Sequence, residues 1–220
     1  MNWEPEILYN DMHLVMVNKP YGMLSQKSQE GEDGVNELLN AHLGKPNFWV
    51  MLQRLDRVAG GLITIAKSKR AGAAMRQMQL DKQIEKTYLI ICERAPLEPN
   101  GRLENYIKKV PKTTRYKVYD EDKKGSKQAI LEYETVRTVG EKTLIKVKPI
   151  TGRTHQIRAQ MANIGCPVVG DKKYGKTQWL ADKGICLFSQ KISFEHPITK
   201  KQIDIEAPLP FEREVWSSFK

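Results

Sequence analysis

Gln53-Arg54-Leu55-Asp56-Arg57-Val58-Ala59-Gly60-Gly61-Leu62-Ile63-Thr64-Ile65-Ala66-Lys67 sets one carboxylate between two arginines, and a glycine pair then opens into an apolar run. The run, Leu62 to Lys67, reads as a strand, and the residues before it as a loop carrying Asp56. A nearby opposite charge favours the ionised form of an acid. Asp56 is therefore the first catalytic candidate.

Outward from this loop the pattern is mainly β. Upstream, Glu6 to Tyr9 and Leu14 to Val17 read as strands with a turn at Asn10-Asp11, and Lys19-Pro20 ends the second because proline removes a ladder donor. A short helix is expected from Val35 to Leu43. Ser68 is placed to cap a helix from Lys69 to Asp81, with Ala73, Met75, Met78 and Leu80 as its apolar residues and Gly72 weakening it. Strands follow at Thr87 to Cys92, Arg115 to Tyr119, Ala129 to Arg137 and Thr143 to Ile150. A helix then runs from Thr154 to Ile164, with Gly165 at its C′ position. Strands Ile185 to Ser193 and Gln202 to Ala207 close the pattern. No internal repeat, low-complexity tract or linker interrupts the chain, so it reads as one α+β domain over 1–220 with a central, mainly antiparallel mixed sheet flanked by helices and loops.

The chain has 220 residues, enough to bury a sizeable core without a metal or disulfide staple. Its 36 Lys+Arg against 26 Asp+Glu give a formal charge of +10 and point to a polyanionic partner, with nucleic acid as the default. Charge alone does not separate RNA from DNA or from an acidic membrane surface. Cys92, Cys166 and Cys186 sit in apolar stretches with no Cys-x-x-Cys pair, as buried reduced thiols do. There is no signal-like N-terminus and no apolar run long enough for a bilayer, so a cytoplasmic protein without membrane contact is expected.

A second constellation is Thr151-Gly152-Arg153-Thr154-His155-Gln156-Ile157-Arg158, a strand-to-helix junction rich in donors. A helix N-terminus offers N–H groups and a positive dipole end to a phosphate or carboxylate. Arg153 and His155 fall in the expected first turn, and Arg158 is aimed along the helix edge. The commoner fate of such arginines on a basic protein is a solvated surface. An Asp on a loop and an Arg on a helix are, however, the two halves of a pair able to position a reactive carboxylate.

With these segments in view, Gln53 to Leu62 resembles the His-Arg-Leu-Asp-x-x-Thr-Ser-Gly-Leu motif of RluA-type RNA pseudouridine synthases. Thr151 to Arg158 is similar to their Thr-Gly-Arg-Thr-His-Gln-Ile-Arg, and Gly165 to Gly175 to their Gly-x-Pro-Ile-x-Gly-Asp-x-x-Tyr-Gly. Asp11 to Gly22 is similar to the family's opening Asp-x-x-Leu-x-x-Val-Asn-Lys-Pro-x-Gly, and Lys86-Thr87-Tyr88 to its Lys-x-Tyr. Gln53 departs from the motif's His, and Ala59 and Gly60 from its Thr-Ser. The resemblance implies that Asp56 is the catalytic aspartate that engages the ribose C1′ region and that Arg158 ion-pairs with it. It further implies that Tyr88 lies against the target uracil and that Arg54 contacts RNA around the vacated nucleotide site. An RNA-binding cleft across the sheet, a structured rRNA or tRNA substrate and no separate S4-type RNA-binding module are part of the same expectation.

The chemistry suits those roles. Uridine becomes pseudouridine when the N1–C1′ bond breaks, the base turns and C5 joins C1′, with no net hydrolysis or redox change. A desolvated, arginine-paired carboxylate stabilises cationic character at C1′ or takes a ribose proton better than one in bulk water, and an extruded base needs an aromatic neighbour. Without the resemblance, Tyr88 would read as a core tyrosine sharing a strand face with Ile90 and Cys92. Arg57, Arg153, His155, Lys172 and Lys173 are candidate RNA-binding residues. Basic and aromatic residues also alternate over Tyr106 to Tyr119, a pattern that fits RNA binding and a soluble charged hairpin about equally.

The scattered His13, His42, His155 and His196 offer no metal-ligand spacing, and no nucleophile elbow or phosphate loop is present. No metal, cofactor or bound nucleotide is expected, and the protein is expected to act as a monomer. The rival reading is a non-catalytic basic RNA-binding protein of the ribosome-assembly type on the same fold. A glycosidase, which typically uses two flanking carboxylates, lacks an obvious second acid.

Overall fold

Two apolar segments distant in sequence, Leu14–Lys19 and Gly60–Ala66, pair antiparallel, with Leu14 opposite Ala66 and Lys19 opposite Gly61. Both are buried nearly throughout, which is why their apolar residues run consecutively instead of alternating. The structure, a computed structural model, describes residues 3–44, 50–176, 180 and 184–220. In chain order its elements are β1 (Glu6–Asn10), β2 (Leu14–Lys19), α1 (Val35–His42), β3 (Val50–Met51), β4 (Gly60–Ala66), α2 (Lys69–Leu80), β5 (Glu85–Cys92) and β6 (Asn100–Lys109). They continue as β7 (Tyr116–Tyr119), β8 (Lys127–Val139), β9 (Lys142–Pro149), α3 (Gln156–Asn163), β10 (Leu187–Glu195), β11 (Gln202–Glu206) and α4 (Glu214–Ser217). The chain divides into two units, Met1–Lys86 with Phe188–Pro208, and Thr87–Leu187 with Leu209–Lys220.

In the first unit β1 pairs with β2 and β2 with β4, both antiparallel. Strand β4 also takes β3 antiparallel and β10 parallel, and β10 carries β11 antiparallel. The β1–β2 turn is built on Asp11, whose Oδ1 accepts the N–H groups of His13 and Leu14, each at 2.7 Å. Its Oδ2 accepts the Tyr9 hydroxyl at 2.8 Å and lies 3.1 Å from His196 Nε2. Ser68 caps α2 by accepting the Ala71 N–H at 3.2 Å. The buried face of this helix is Ala71, Gly72 and Met75, whereas Leu80 is exposed, contrary to the sequence expectation. A Cβ on Gly72 would lie 3.0 Å from the Val50 side chain, so close packing against β3 holds the glycine there.

The second unit is an antiparallel sheet in the order β5, β9, β8, β6, β7. A bulge in β8 between Thr135 and Arg137 turns Val136 out to solvent. Helix α3 lies on this sheet through Ala159, which packs with Ile107 and Ala129, and Tyr116, Val118 and Tyr174 close around them. Its C-terminus is finished as expected by Gly165 at φ +82°, with the Cys166 N–H reaching the Met161 carbonyl at 2.9 Å. Cys92, Cys166 and Cys186 are buried free thiols, and burial pushes that of Cys92 well above its ordinary range.

The mixed α+β class with mainly antiparallel pairing is as expected from the sequence. Strand β6 was not anticipated, because residues such as Arg102 and Glu104 face solvent and leave few apolar positions to mark it. The two-residue β3 and the one-turn α4 were also missed, being too short to show a period. No described helix is long and apolar enough to cross a membrane.

Candidate active site

In the first unit the loop carrying Asp56 is held on both sides of that residue. The buried Ser25 hydroxyl donates to the Leu55 carbonyl at 2.8 Å and accepts the Leu55 N–H at 3.0 Å. On the other side the Arg57 carbonyl accepts the Gly22 N–H at 2.9 Å, with Lys19 Nζ at 3.5 Å. The Ala59 N–H returns to the Asp56 carbonyl at 3.0 Å, closing a tight turn. Asp56 itself is half-buried. A loop so pinned presents its carboxylate in one orientation without an ordering cost at the moment of reaction.

The charge around Asp56 differs from the sequence reading. Arg54 is exposed, and Arg57 turns its guanidinium onto the Glu32 carboxylate in an exposed pair, so the flanking arginines do not serve Asp56 alone. The cation built into this loop is Lys19, which is fully buried and donates to the Pro20 carbonyl at 2.9 Å and the Met23 carbonyl at 2.8 Å. Burial pushes the Lys19 ammonium down to about 7; the Asp56 carboxylate opposes that fall and Arg57 adds to it. Pairing of β2 with β4 sets Lys19 opposite Gly61 and so brings it to the Asp56 loop.

The motif departures have local explanations. Gln53 donates to the Leu62 carbonyl at 3.1 Å, tying the start of the loop to β4. A Cβ on Gly60 would stand 2.7 Å from the Tyr21 ring, so Gly60 makes room for that bulky residue after Pro20. Gly61 has φ +105°, and a Cβ there would lie 2.4 Å from the Ser189 carbonyl oxygen of β10, so only glycine fits.

In the second unit the conserved-looking junction before α3 is shaped by Gln156, which accepts the Arg153 N–H at 2.9 Å and the Thr151 hydroxyl at 2.8 Å and donates to the Ile130 carbonyl at 3.0 Å. The helix starts at Gln156 instead of Thr154, because His155 adopts a left-handed conformation at φ 56°. Arg153 and His155 thus precede the helix rather than forming its first turn. Arg153 is exposed and its Nε donates to the Gln128 carbonyl at 2.8 Å.

Arg158 is buried, at 2% exposure, not turned to solvent. Its Nε donates to Asp171 Oδ2 at 2.6 Å and its Nη2 to Oδ1 at 2.8 Å, and Asp171 has no exposed surface. The guanidinium carbon lies 5.3 Å from the centre of the Tyr174 ring. The Tyr174 hydroxyl accepts the Tyr116 N–H at 2.8 Å and sits 2.9 Å from His155 Nδ1. Tyr88 is largely buried on β5, opposite Val147 of β9.

A basic groove on the same unit is lined by Lys109, Lys112, Thr113, Thr114, Arg115, Lys172 and Lys173. Its walls are fastened together: Lys173 Nζ donates to Thr114 Oγ1 at 2.8 Å, and Arg115 Nε donates to the Lys173 carbonyl at 2.7 Å. Among the described residues no group of three or more His, Cys, Asp or Glu side chains is arranged to hold a metal ion.

The RNA pseudouridylate synthase family profile matches residues 13–163, more than half the chain. This chain belongs to the RNA pseudouridylate synthase family. The ribosomal large subunit pseudouridine synthase C of Rickettsia felis is 30% identical over 207 residues, covering 93% of this chain and 68% of that protein. An RNA pseudouridine synthase of Haemophilus influenzae, itself uncharacterised, is 30% identical over 193 residues, covering 88% of this chain and 83% of its own. Human RNA pseudouridylate synthase domain containing 4 shares the fold, with a TM-score of 0.76 at 21% identity over 96% of this chain and 90% of that one.

The protein is accordingly a pseudouridine synthase, an isomerase acting on RNA. Within this synthase, sequence reasoning quoted Lys19, Asp171 and Tyr174 as parts of family-like blocks without giving them a task. Their place in those blocks was the available signal. Ser25 had none, because a lone serine in a loop looks like any surface residue.

Proposed function

We propose that this synthase isomerises specific uridines of ribosomal RNA, or of transfer RNA, with Asp56 as the catalytic carboxylate and Arg158 as its guanidinium partner. The names of the curated relatives favour the large-subunit ribosomal class. The observation that carries the reading is the pinned Asp56 loop, with Ser25 on Leu55, Gly22 and Lys19 on Arg57, and a buried ammonium coupled to the Asp56 charge. A surface aspartate of no consequence needs neither device.

In this reading the target nucleotide leaves its stack, Tyr88 receives the uracil face, and Asp56 acts at the ribose while the N1–C1′ bond breaks. The base turns and C5 bonds to C1′, after which the C5 proton departs. Arg54 and Arg57 lie beside the vacated nucleotide position, and Arg57 releases Glu32 to take a phosphate, which costs little because an exposed pair contributes about 0–1 kcal/mol. Arg153, His155, Lys172 and Lys173 hold the RNA backbone, the last two as one wall of the basic groove. The whole chain serves as one catalytic domain, acting as a monomer in the cytoplasm.

The test is tritium release from RNA labelled at uracil C5 and prepared from cells lacking the protein. The wild-type protein is expected to release tritium from ribosomal RNA, and Asp56→Asn to bind that RNA with unchanged affinity and release none. Binding without release by the wild type, across both ribosomal and transfer RNA, would make it a non-catalytic RNA-binding protein instead.

A further inference from the structure

Arg158 is the most constrained cation of the second unit. A guanidinium has five N–H donors in a planar fork, and its plane turns about the bonds of a flexible stem unless something fixes it. Here both edge and face are fixed. Asp171 takes the Nε–Nη2 edge with two short bonds, 2.6 and 2.8 Å, and the Tyr174 ring lies against the guanidinium at 5.3 Å.

Asp171 is itself fixed by the turn it begins. Its Oδ1 also accepts the Lys173 N–H at 3.0 Å and the Tyr174 N–H at 3.3 Å, while its own N–H reaches the Val168 carbonyl at 3.0 Å. Its carbonyl accepts the Gly175 N–H at 2.6 Å. The direction of the carboxylate is therefore dictated by backbone, and the direction of the guanidinium by the carboxylate. An ion pair serving only to hold α3 against this loop would need neither the second bond nor the backbone support. The engaged donors lie on one edge of the fork, so the fork's other edge is aimed by the same geometry.

We propose that Asp171 is the positioning residue for Arg158: it sets the plane and the charge with which the guanidinium acts on the catalytic carboxylate. This rests on the reading that Arg158 works with Asp56. Sharing its charge with Asp171, Arg158 presents Asp56 with only part of a positive charge, enough to orient the carboxylate without holding it too tightly to engage the sugar. Tyr174 supports the arrangement from the ring face and ties it, through its hydroxyl, to His155 and Tyr116.

Single-turnover tritium release from C5-tritiated ribosomal RNA, taken from cells lacking the protein, tests this across pH. Asp171→Glu keeps the charge and lengthens the arm, so it is expected to fold and to bind the RNA within about twofold of wild type. Its rate is expected to fall about 10- to 100-fold, as about 1 Å of misplacement does. Asp171→Asn gives Asp56 the whole guanidinium charge, so the acid limb of its rate profile is expected to move to lower pH by about one unit. Should Asp171→Asn not fold, Asp171→Glu decides alone. A wild-type rate in Asp171→Glu, or a slow but folded Asp171→Asn whose acid limb has not moved, overturns the inference. If wild type releases tritium and Asp56→Asn does not, either of those results removes the inference and leaves the proposed function standing. If wild type itself releases none, both fall.

Discussion

The Ser25 hydroxyl meets the backbone of Leu55 at both its polar groups, giving its proton to the carbonyl at 2.8 Å and taking the N–H at 3.0 Å. One small side chain thereby satisfies a buried peptide immediately before Asp56. Ser25→Ala removes both partners, and an unsatisfied buried polar group costs about 1–3 kcal/mol. Urea denaturation is expected to show a loss in that range. The turnover number is expected to fall about tenfold with KM little changed, since the loop orients the carboxylate and does not bind the RNA. An unaltered turnover number would mean that the clamp matters to folding alone.

Gly60 and Tyr21 form a matched pair, with 2.7 Å between a built Cβ at 60 and the nearest ring carbon. Gly60→Ser, which restores the family's residue, is expected to destabilise by about 1–3 kcal/mol through overpacking. Combining it with Tyr21→Ala should give back a large part of that loss, with a coupling of about 0.5–3 kcal/mol in a double-mutant cycle. Additive effects would show that the ring moves aside freely.

Lys19 makes stability depend on pH in a window set by its own titration. Its ordinary value near 10.5 falls to about 7 in the folded protein. Between those values the unfolded chain binds more protons than the folded one, so stability rises with pH there, with a slope of at most about 1.4 kcal/mol per pH unit. The contribution is complete above the unfolded value and lost as pH falls through 7. Urea midpoints of wild type and Lys19→Met, compared from pH 6.5 to 9.5, are expected to diverge, with wild type gaining on the variant as pH rises. Parallel curves would show that Lys19 keeps its proton throughout.

Much of the architecture was legible because local physics writes it into adjacent residues. Ser68 before an apolar helix, Gly165 after one, and the unbroken apolar run of β4 each state their element within a few positions. Strand β6 escaped because an edge-facing, charge-rich strand is specified by what it pairs with, here Asn100 to Ile107 against Glu134 to Lys127 of β8.

The site divides in the same way. Asp56, Tyr88 and Arg158 stand out in the sequence through contiguous motifs, and those motifs alone decided the family. The partners of Arg57, Arg158 and the Asp56 loop are Glu32, Asp171 and the pair Ser25 and Lys19, and folding alone chose them. The reason is physical: two arginines beside an aspartate share a short stretch of chain but point where their rotamers lead. A buried lysine reaches that aspartate's loop only because β2 and β4 pair in one register. Which charge faces which is a property of the packed structure, where desolvation makes each buried ion take the partner that the backbone has placed within reach.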